Sequence, residues 1–494
     1  MSSSIFFHLE GSMVTIVSET KGDRRFRATN LSQAKKNIRS DDSFRTASTH
    51  SVVGLIADSK IIFSEVSIVK LKSTVILVLF TALLTQTSFA QIGGGPGTIG
   101  YITFNQPAFD QSLTNAVAGN VMGYQYVLIK NGQMVTEGAG GLAEGLADGY
   151  LTMTTSTPTN IGSLAKFLSG TAMLHLMVNG AGPGGSWDQG QSLSQKLNRP
   201  FTTIVPDVWV TGNKAGIEDI TIRELLQHRS GFDTDKSSVT GRGVLDYLKD
   251  NDGFYSSQHG TREYANINFV LNGYLLTMYE YPGAKTAYNS VINTYGLNQP
   301  NADQYVKGAA GTSMHSIMKT RIWDQMTPAI NPNCDAANTL QTTAAYYYSS
   351  KNAVFSEGGI SSHMDTTGHC GGEGGYYMSM RDLANYMAHF SASNTIVNSE
   401  ARNLMFNDAM NPNDRLVWGT STTDTWMADN FNMPNVVWSN GIGDDSLGRG
   451  YRAVIIRLPQ NYYLVMATNS PDLSAGSLYN AGVNAFKAGM QHNF

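Results

Sequence analysis

Two pairs of strand-like segments, one early and one late in the chain, leave few folds open to everything between them. Tyr124–Lys130 and Gln133–Glu137 are joined by Asn131-Gly132, and an Asn-Gly step supplies the two positive-φ residues that a two-residue hairpin needs. Near the other end, Tyr451–Arg457 and Tyr462–Thr468 are separated by the short Leu-Pro-Gln-Asn turn of residues 458–461. From Ser163 to about Phe390 the pattern changes to apolar residues at helical spacing, broken by Gly, Asn and Pro loops such as Pro183–Ser186 and Asn331–Asn333. Short helices are predicted over Phe109–Ala118, under the first hairpin, and over Ala475–Met490. Strands this distant share a sheet only if the helical stretch is an insertion. The expected class is therefore α+β, an antiparallel sheet built from N- and C-terminal segments with a large helical insertion, and clefts between such layers are where ligands bind.

The 494 residues do not read uniformly. Lys70 and Lys72 precede an uncharged apolar run, Thr74–Leu84, followed by Ser88-Phe89-Ala90. That is the layout of a secretory signal peptide with cleavage after Ala90, and the run is shorter than the roughly 20 residues of a membrane span. Residues 67–90 are thus expected to be a signal peptide, and 1–66 a non-native or disordered extension with the true start near Val66. Residues 91–104 are read as a Gly-rich linker and 105–494 as the functional domain. The product is expected to be periplasmic or secreted, without a stable membrane span after cleavage. Of 34 basic and 38 acidic residues, 11 and 7 fall in residues 1–90, which leaves 23 and 31, a net −8, for the remainder. An acidic domain is a poor partner for nucleic acid, where phosphate neutralisation needs clustered cations. Cys334 and Cys370 both fall in the exported part. They are candidates for a disulfide worth about 3 to 4 kcal/mol on the chain-entropy estimate, with two buried thiols as the alternative. Their spacing is not that of a metal site, and no metal or organic cofactor is expected.

Chemistry is concentrated at Ser163 and Lys166, in Ile161-Gly-Ser-Leu-Ala-Lys-Phe-Leu168. Residues three apart on a helix share a face, so an amine can take the proton of a hydroxyl one turn away. A serine at a helix start also lies among unpaired backbone N–H groups that favour developing negative charge. Ser-x-x-Lys recurs at Ser18/Lys21, Ser32/Lys35, Ser67/Lys70 and Ser316/Lys319, but only the Ser163 copy has a hairpin before it and a proline-free apolar helix, Lys166–Val178, behind it.

Tyr264-Ala265-Asn266 lies where a loop turns into another apolar helix. A phenol beside a cation can relay a proton, and an asparagine can hold Lys166 or a substrate amide, although a helix-capping pair is an equal reading on local grounds. His228, in Gln227–Gly231, could be taken for a triad histidine, but a structural role is expected of it.

With these motifs in view the chain resembles the serine β-lactamase and penicillin-binding-protein superfamily, most closely its class C-like esterases, D-amino-acid peptidases and carboxypeptidases. Besides Ser163-x-x-Lys166 and Tyr264-x-Asn266, the resemblance rests on Ile220–Gly231 and Gly374–Ala384 and covers roughly residues 105–490. It implies a β-lactamase/transpeptidase-like fold and an acyl-enzyme on Ser163, with Lys166 and Tyr264 sharing the general-base work. Family members usually carry Lys or His on the strand edging the site, where it receives a substrate carboxylate. Here the best-aligned run is Trp438-Ser439-Asn440-Gly441-Ile442-Gly443, so Ser439 stands in place of the cation. A register two residues on, at Gly443, restores no cation either. Arg449 and Arg452 are the nearby alternatives.

The expected substrate-binding set is Asn266, Ser439, Asn440, Gly441 and Ile442, with the oxyanion hole formed by the N–H of Ser163 and one from the strand after Gly441. Small ester, amide or peptide substrates are expected. Esters and uncharged amides come first because an absent ion pair costs about 1.5 to 3 kcal/mol. A D-amino-acid peptidase, a peptidoglycan carboxypeptidase or a β-lactamase is the second reading. A catalytically impaired binding protein of the same fold is the third. The sequence leaves the oligomeric state open.

Overall fold

The computed structural model divides into two units, Met1–Phe89 and Ala90–Phe494. It describes residues 3–9, 12–18, 27–28 and 90–91, and then 101–493 except 181–189, 213–214, 234–247, 249–252, 282, 296–312, 334–343, 346, 349–357, 359–370, 408–414 and 446. Cys334 and Cys370 lie outside the described residues, as does most of the expected signal segment. Among the described residues no helix is long and apolar enough to cross a membrane.

In the first unit β1 (Ser3–Leu9) and β2 (Ser12–Ser18) form an antiparallel hairpin, and β3 (Arg27–Ala28) pairs with β2. Their Ile, Phe, Val and Thr content is what suits a pleated surface.

In the second unit β4 (Ala90–Gln91) and β5 (Tyr101–Phe104) pair with each other, and β5 pairs with β16 (Met490–Asn493). Helix α1 (Gln106–Val117) follows, started by Asn105, whose side chain accepts from the Ala108 N–H at 3.1 Å. Then come β6 (Gly123–Lys130) and β7 (Gln133–Glu144), joined as expected through Asn131 and Gly132, with φ of 50° and 77°. The principal sheet is antiparallel in the order β12-β13-β14-β15-β6-β7-β8, with β10 (Tyr347–Tyr348) also paired to β14. Here β8 is Leu151–Thr152, β12 Thr420–Thr423, β13 Asn435–Asp444, β14 Arg449–Leu458 and β15 Tyr462–Thr468. The late strands thus pair with the early hairpin through β15 and β6, Tyr462 opposite Lys130 and Thr468 opposite Tyr124.

Every residue of β15 is buried, because the sheet is covered on both faces. On one face Leu464, Ile456 and Val454 pack with Phe109 and Leu113 of α1 and with Leu478 and Phe486 of α6, the closing helix Ala475–Gly489. On the other, Val465, Ile455 and Ala453 join the larger core of the insertion. That core includes α2 (Ala165–Asn179), α3 (Ile222–Leu226), α4 (Ile267–Glu280) and α5 (Met380–Ala392). Just before α5 in the chain comes β11 (Tyr377–Met378), which pairs with β9 (Thr159–Asn160) just before Ser163.

Candidate active site

Ser163 sits in a single 3₁₀ turn, Gly162–Leu164, that feeds directly into α2. The turn is pinned from several directions. Gly162 has φ +52° and donates its N–H to Asn160 Oδ1 at 2.8 Å, and Ile161 donates to the Tyr376 carbonyl at 3.0 Å. Strand β13 passes against it. A Cβ on Gly441 would run into the Ile161 carbonyl and lie 3.1 Å from the Ser163 nitrogen, and one on Gly162 would lie 3.0 Å from the Ile442 nitrogen. Only glycine allows backbones to approach so closely. Of the two registers open in the sequence, Gly441 is thus the residue that meets the serine turn, and the Ile442 N–H borders it. Gly443 instead packs on Tyr451.

Lys166, one turn into α2, is buried at 5% exposure. Its Nζ donates to Ser163 Oγ at 2.9 Å and to the Glu373 carbonyl at 2.8 Å. A buried amine needs such partners, because its desolvation is otherwise uncompensated. The Glu373 carbonyl arrives on a loop that crosses between α2 and α4. Ser169 Oγ donates to the Gly372 carbonyl at 2.7 Å, and a Cβ on Gly372 would strike the Phe269 carbonyl.

Tyr264 comes from the loop before α4 and is 40% exposed, so it faces the open side of the site. Its hydroxyl lies 2.8 Å from Ser163 Oγ and donates to Asn266 Oδ1 at 3.2 Å. Lys166 Nζ stands 5.1 Å from the centre of its ring. Asn266, which the sequence suggests for Lys166 or a substrate amide, accepts from the phenol; the two acceptors described for Lys166 are Ser163 and Glu373.

His228 stacks on Tyr264, the ring centres 4.6 Å apart and the planes at 29°. Its Nδ1 accepts from the Ala265 N–H at 3.2 Å, and its carbonyl accepts from Glu263 at 2.8 Å. It sits at φ +56° in the loop that follows α3. Burial first, then the charges of Lys166 and Arg262, hold its pKa well below the usual histidine value. A neutral imidazole stacked on the phenol is placed to position it. The other Ser-x-x-Lys copy in the helical region is not assembled in this way. Ser316 is exposed, and Lys319 pairs with Asp324 at 2.6 Å.

Ser439 shares the strand face of Gly441 and is buried, its Oγ accepting from the Gly419 N–H at 3.0 Å. Asn440 and the 44% exposed Ile442 fall on the opposite face of β13. Neither expected substitute cation is available from β14. Arg452 pairs with Ile442 in register, so it lies on that opposite face, where it bonds Asp444 at 2.7 Å. Arg449 bonds Asp445 at 2.6 Å. The Glu373 carbonyl, the His228 stack and Arg262 were not identified from the sequence. The first is a backbone group that leaves no side-chain signature, and the others depend on contacts between separate loops.

Two changes test this geometry. Gly441→Ala should lower stability and slow labelling of Ser163 by a fluorophosphonate by about tenfold or more, because β13 must retreat from the serine turn; labelling at the wild-type rate would contradict the close approach. His175, His228 and His315 all have pKa values lowered by burial. Below about pH 6.5 the unfolded chain therefore binds protons that the folded one refuses, and stability falls as pH drops. The melting temperature should decrease from pH 7.5 to 5.5, and His228→Asn, which tolerates the positive φ, should flatten that slope.

Comparison with known proteins agrees with the fold. The Beta-lactamase family pattern matches residues 109–485. Among curated proteins none matches the chain. Among solved structures, EstCE1, a hydrolase with promiscuous acyltransferase activity, superposes with a TM-score of 0.53 at 13% identity, covering 77% of this chain and 99% of that one. The D-amino acid amidase from Ochrobactrum anthropi SV3 gives 0.50 at 16% identity, with 77% and 98% covered. The class C beta lactamase from Rhodobacter sphaeroides gives 0.50 at 12%, with 77% and 99% covered. At these identities the likeness is one of fold. With its sheet, its helical insertion and some three quarters of its length matched, the chain belongs to the Beta-lactamase family.

Proposed function

We propose that this protein is an exported serine hydrolase that acts on ester or amide substrates through an acyl-enzyme on Ser163. The observation that carries the reading is the pair of contacts to one oxygen, Lys166 Nζ at 2.9 Å and Tyr264 Oη at 2.8 Å from Ser163 Oγ. The reaction starts with the Lys166–Tyr264 pair one proton short, as a neutral amine beside the phenol or an ammonium beside the phenolate; Ser163 Oγ attacks the carbonyl carbon and its proton fills that vacancy on the pair. The pair returns that proton to the departing alcohol or amine as the tetrahedral intermediate collapses. Water then attacks the acyl carbon, gives a proton to the same pair, and the serine recovers it as the acid leaves. The N–H groups of Ser163 and Ile442 form the oxyanion hole, an assignment supported by the approach of β13 at Gly441. Asn266 steadies the phenol, and no metal or organic cofactor takes part in these steps.

Ser439 argues against a β-lactamase built on the family's usual carboxylate contact. An ion pair missing from β13 weakens affinity about ten- to a hundredfold. Small esters and amides are the better-supported class, and the fold neighbours named a hydrolase and an amidase lie in that direction.

Ser163→Ala should lose turnover of p-nitrophenyl esters by about three orders of magnitude or more, and with it fluorophosphonate labelling, at nearly unchanged stability. Ser316→Ala should lose neither; the reverse pattern would mean the wrong serine. Export is part of the proposal and is supported by the Lys70–Ala90 layout. The mass of the secreted product should place its N-terminus at Gln91, and tryptic peptides from residues 22–60 in that product would refute it.

A further inference from the structure

The loop between β7 and β8 brings together two carboxylates that no cation answers. Glu144 closes β7, and residues 145–150 then turn the chain toward β8. Glu144 is only 7% exposed, yet among the described residues its carboxylate takes part in no hydrogen bond or ion pair. The residues before it are apolar and packed, Leu142 with Met122 and Tyr347, Ala143 with Met153 and Ala344. The carboxylate turns back toward the loop, where a Cβ on Gly149 would lie 3.5 Å from Oε2. Tyr347 of β10 joins this residue to the second acid. Its hydroxyl accepts from the Gly145 N–H at 2.5 Å and donates to Asp148 Oδ2 at 2.6 Å. The same Oδ2 accepts from the Gly358 N–H at 2.9 Å. Asp148 is itself exposed, and among the described residues nothing bonds its Oδ1. Burial first, then the charge of Asp148, raise the Glu144 pKa above the usual carboxylate value. A buried carboxylate left without hydrogen bonds or a counter-charge calls for a partner.

We propose that the β7–β8 loop is a Ca²⁺ site, with the Glu144 carboxylate and the free Oδ1 of Asp148 as its protein ligands. It is independent of the chemistry at Ser163. The donors are oxygens alone, which selects a hard cation over zinc or copper. Among the described residues no third acidic side chain, histidine or cysteine joins them, so water completes the shell. Such a mixed shell suits Ca²⁺, which accepts irregular geometry, better than Mg²⁺, which demands a near-ideal octahedron. So few protein ligands give an affinity of about 10⁻⁴ to 10⁻³ M, the range of extracellular modules. The ion neutralises the pair and braces Tyr347 through Asp148. Tyr347 is paired with Gly450 of β14, next to Tyr451, whose ring would lie 3.1 Å from a Cβ on Gly162. Occupancy therefore stabilises the end of the sheet on which the serine turn rests.

The test uses the full chain, stripped of metal with EDTA and then freed of chelator. At about pH 7.5, adding about 5 mM CaCl₂ should raise the melting temperature by about 2 °C over KCl of equal ionic strength. MgCl₂ at the same concentration should give less than half that rise. Tb³⁺, which occupies Ca²⁺ sites, should emit when tyrosine is excited, because Tyr347 adjoins the site, and Ca²⁺ should quench that emission by displacement. Glu144→Gln removes the buried charge at equal size and should abolish both responses. Asp148→Asn keeps an acceptor for the Tyr347 hydroxyl and should lose most of each. If Glu144→Gln does not fold, as judged by circular dichroism, the wild type and Asp148→Asn decide the matter. No Ca²⁺ shift beyond KCl in the wild type, an equal shift with Mg²⁺, or a full shift surviving in Asp148→Asn would overturn the proposal. Fluorophosphonate labelling of Ser163 reads the acyl-enzyme proposal separately, so either reading can fail without the other.

Discussion

The site depends on one close approach of backbones. Strand β13 comes from the C-terminal part of the chain and the Ser163 turn from the start of the helical insertion, and they meet because Gly441 has no side chain to hold them apart. The consequence reaches both ways. The strand brings the Ile442 N–H to the serine, and the turn, through Gly162 at φ +52°, presents the serine to the strand. For the proposed oxyanion hole both groups are needed, since an oxyanion is stabilised by donors already fixed where charge develops. Folding of the sheet and formation of the site are one event, because β13 is held in place through β14 and β15 by the early hairpin.

Around that contact the insertion solves a second problem, the keeping of an amine inside the protein. Lys166 is buried, and burial disfavours a charge unless acceptors are built in beside it. The Gly371–Gly375 loop is shaped for this. Gly372 lies against the Phe269 carbonyl, which lets the loop sink between α2 and α4 and offer the Glu373 carbonyl to Nζ. The loop before α4 then places the Tyr264 ring 5.1 Å from the same Nζ and stacked on His228. Segments far apart in sequence thus converge on the Ser163 oxygen and the Lys166 amine. A substitution that loosens any of them is felt at the serine oxygen.

What could be read in the sequence divides along the same physical line. Local chemistry was legible. The Asn131-Gly132 turn, the β14 and β15 strands, helix α2 and the Ser163, Lys166 and Tyr264 side chains each depend on a few adjacent residues, and the structure brings Lys166 and Tyr264 within hydrogen-bonding distance of the Ser163 oxygen. Features that depend on long-range register were not. Tyr101–Phe104 read as the end of a linker because its partner, β16, lies at the far end of the chain. Arg449 and Arg452 looked near the site by sequence distance, yet alternation along the β13–β14 pair turns Arg452 to the opposite face and Asp444 claims it. Arg262 was passed over because its link to Ser439 runs through Gly419, a residue with no side chain to signal the connection.

The strand residue Ser439 bears on how such a site changes specificity. A long cationic side chain at this position would be fixed to the rigid sheet, whereas Ser439 turns its Oγ to the Gly419 N–H and fills the place without a charge. The contact that holds the site together is unaffected by the difference, because the serine turn meets β13 at Gly441, two residues further along the same strand face. An ion-pair partner for a substrate can thus be absent from the strand while the backbone approach, the Ser163–Lys166 contact and the sheet stay as they are.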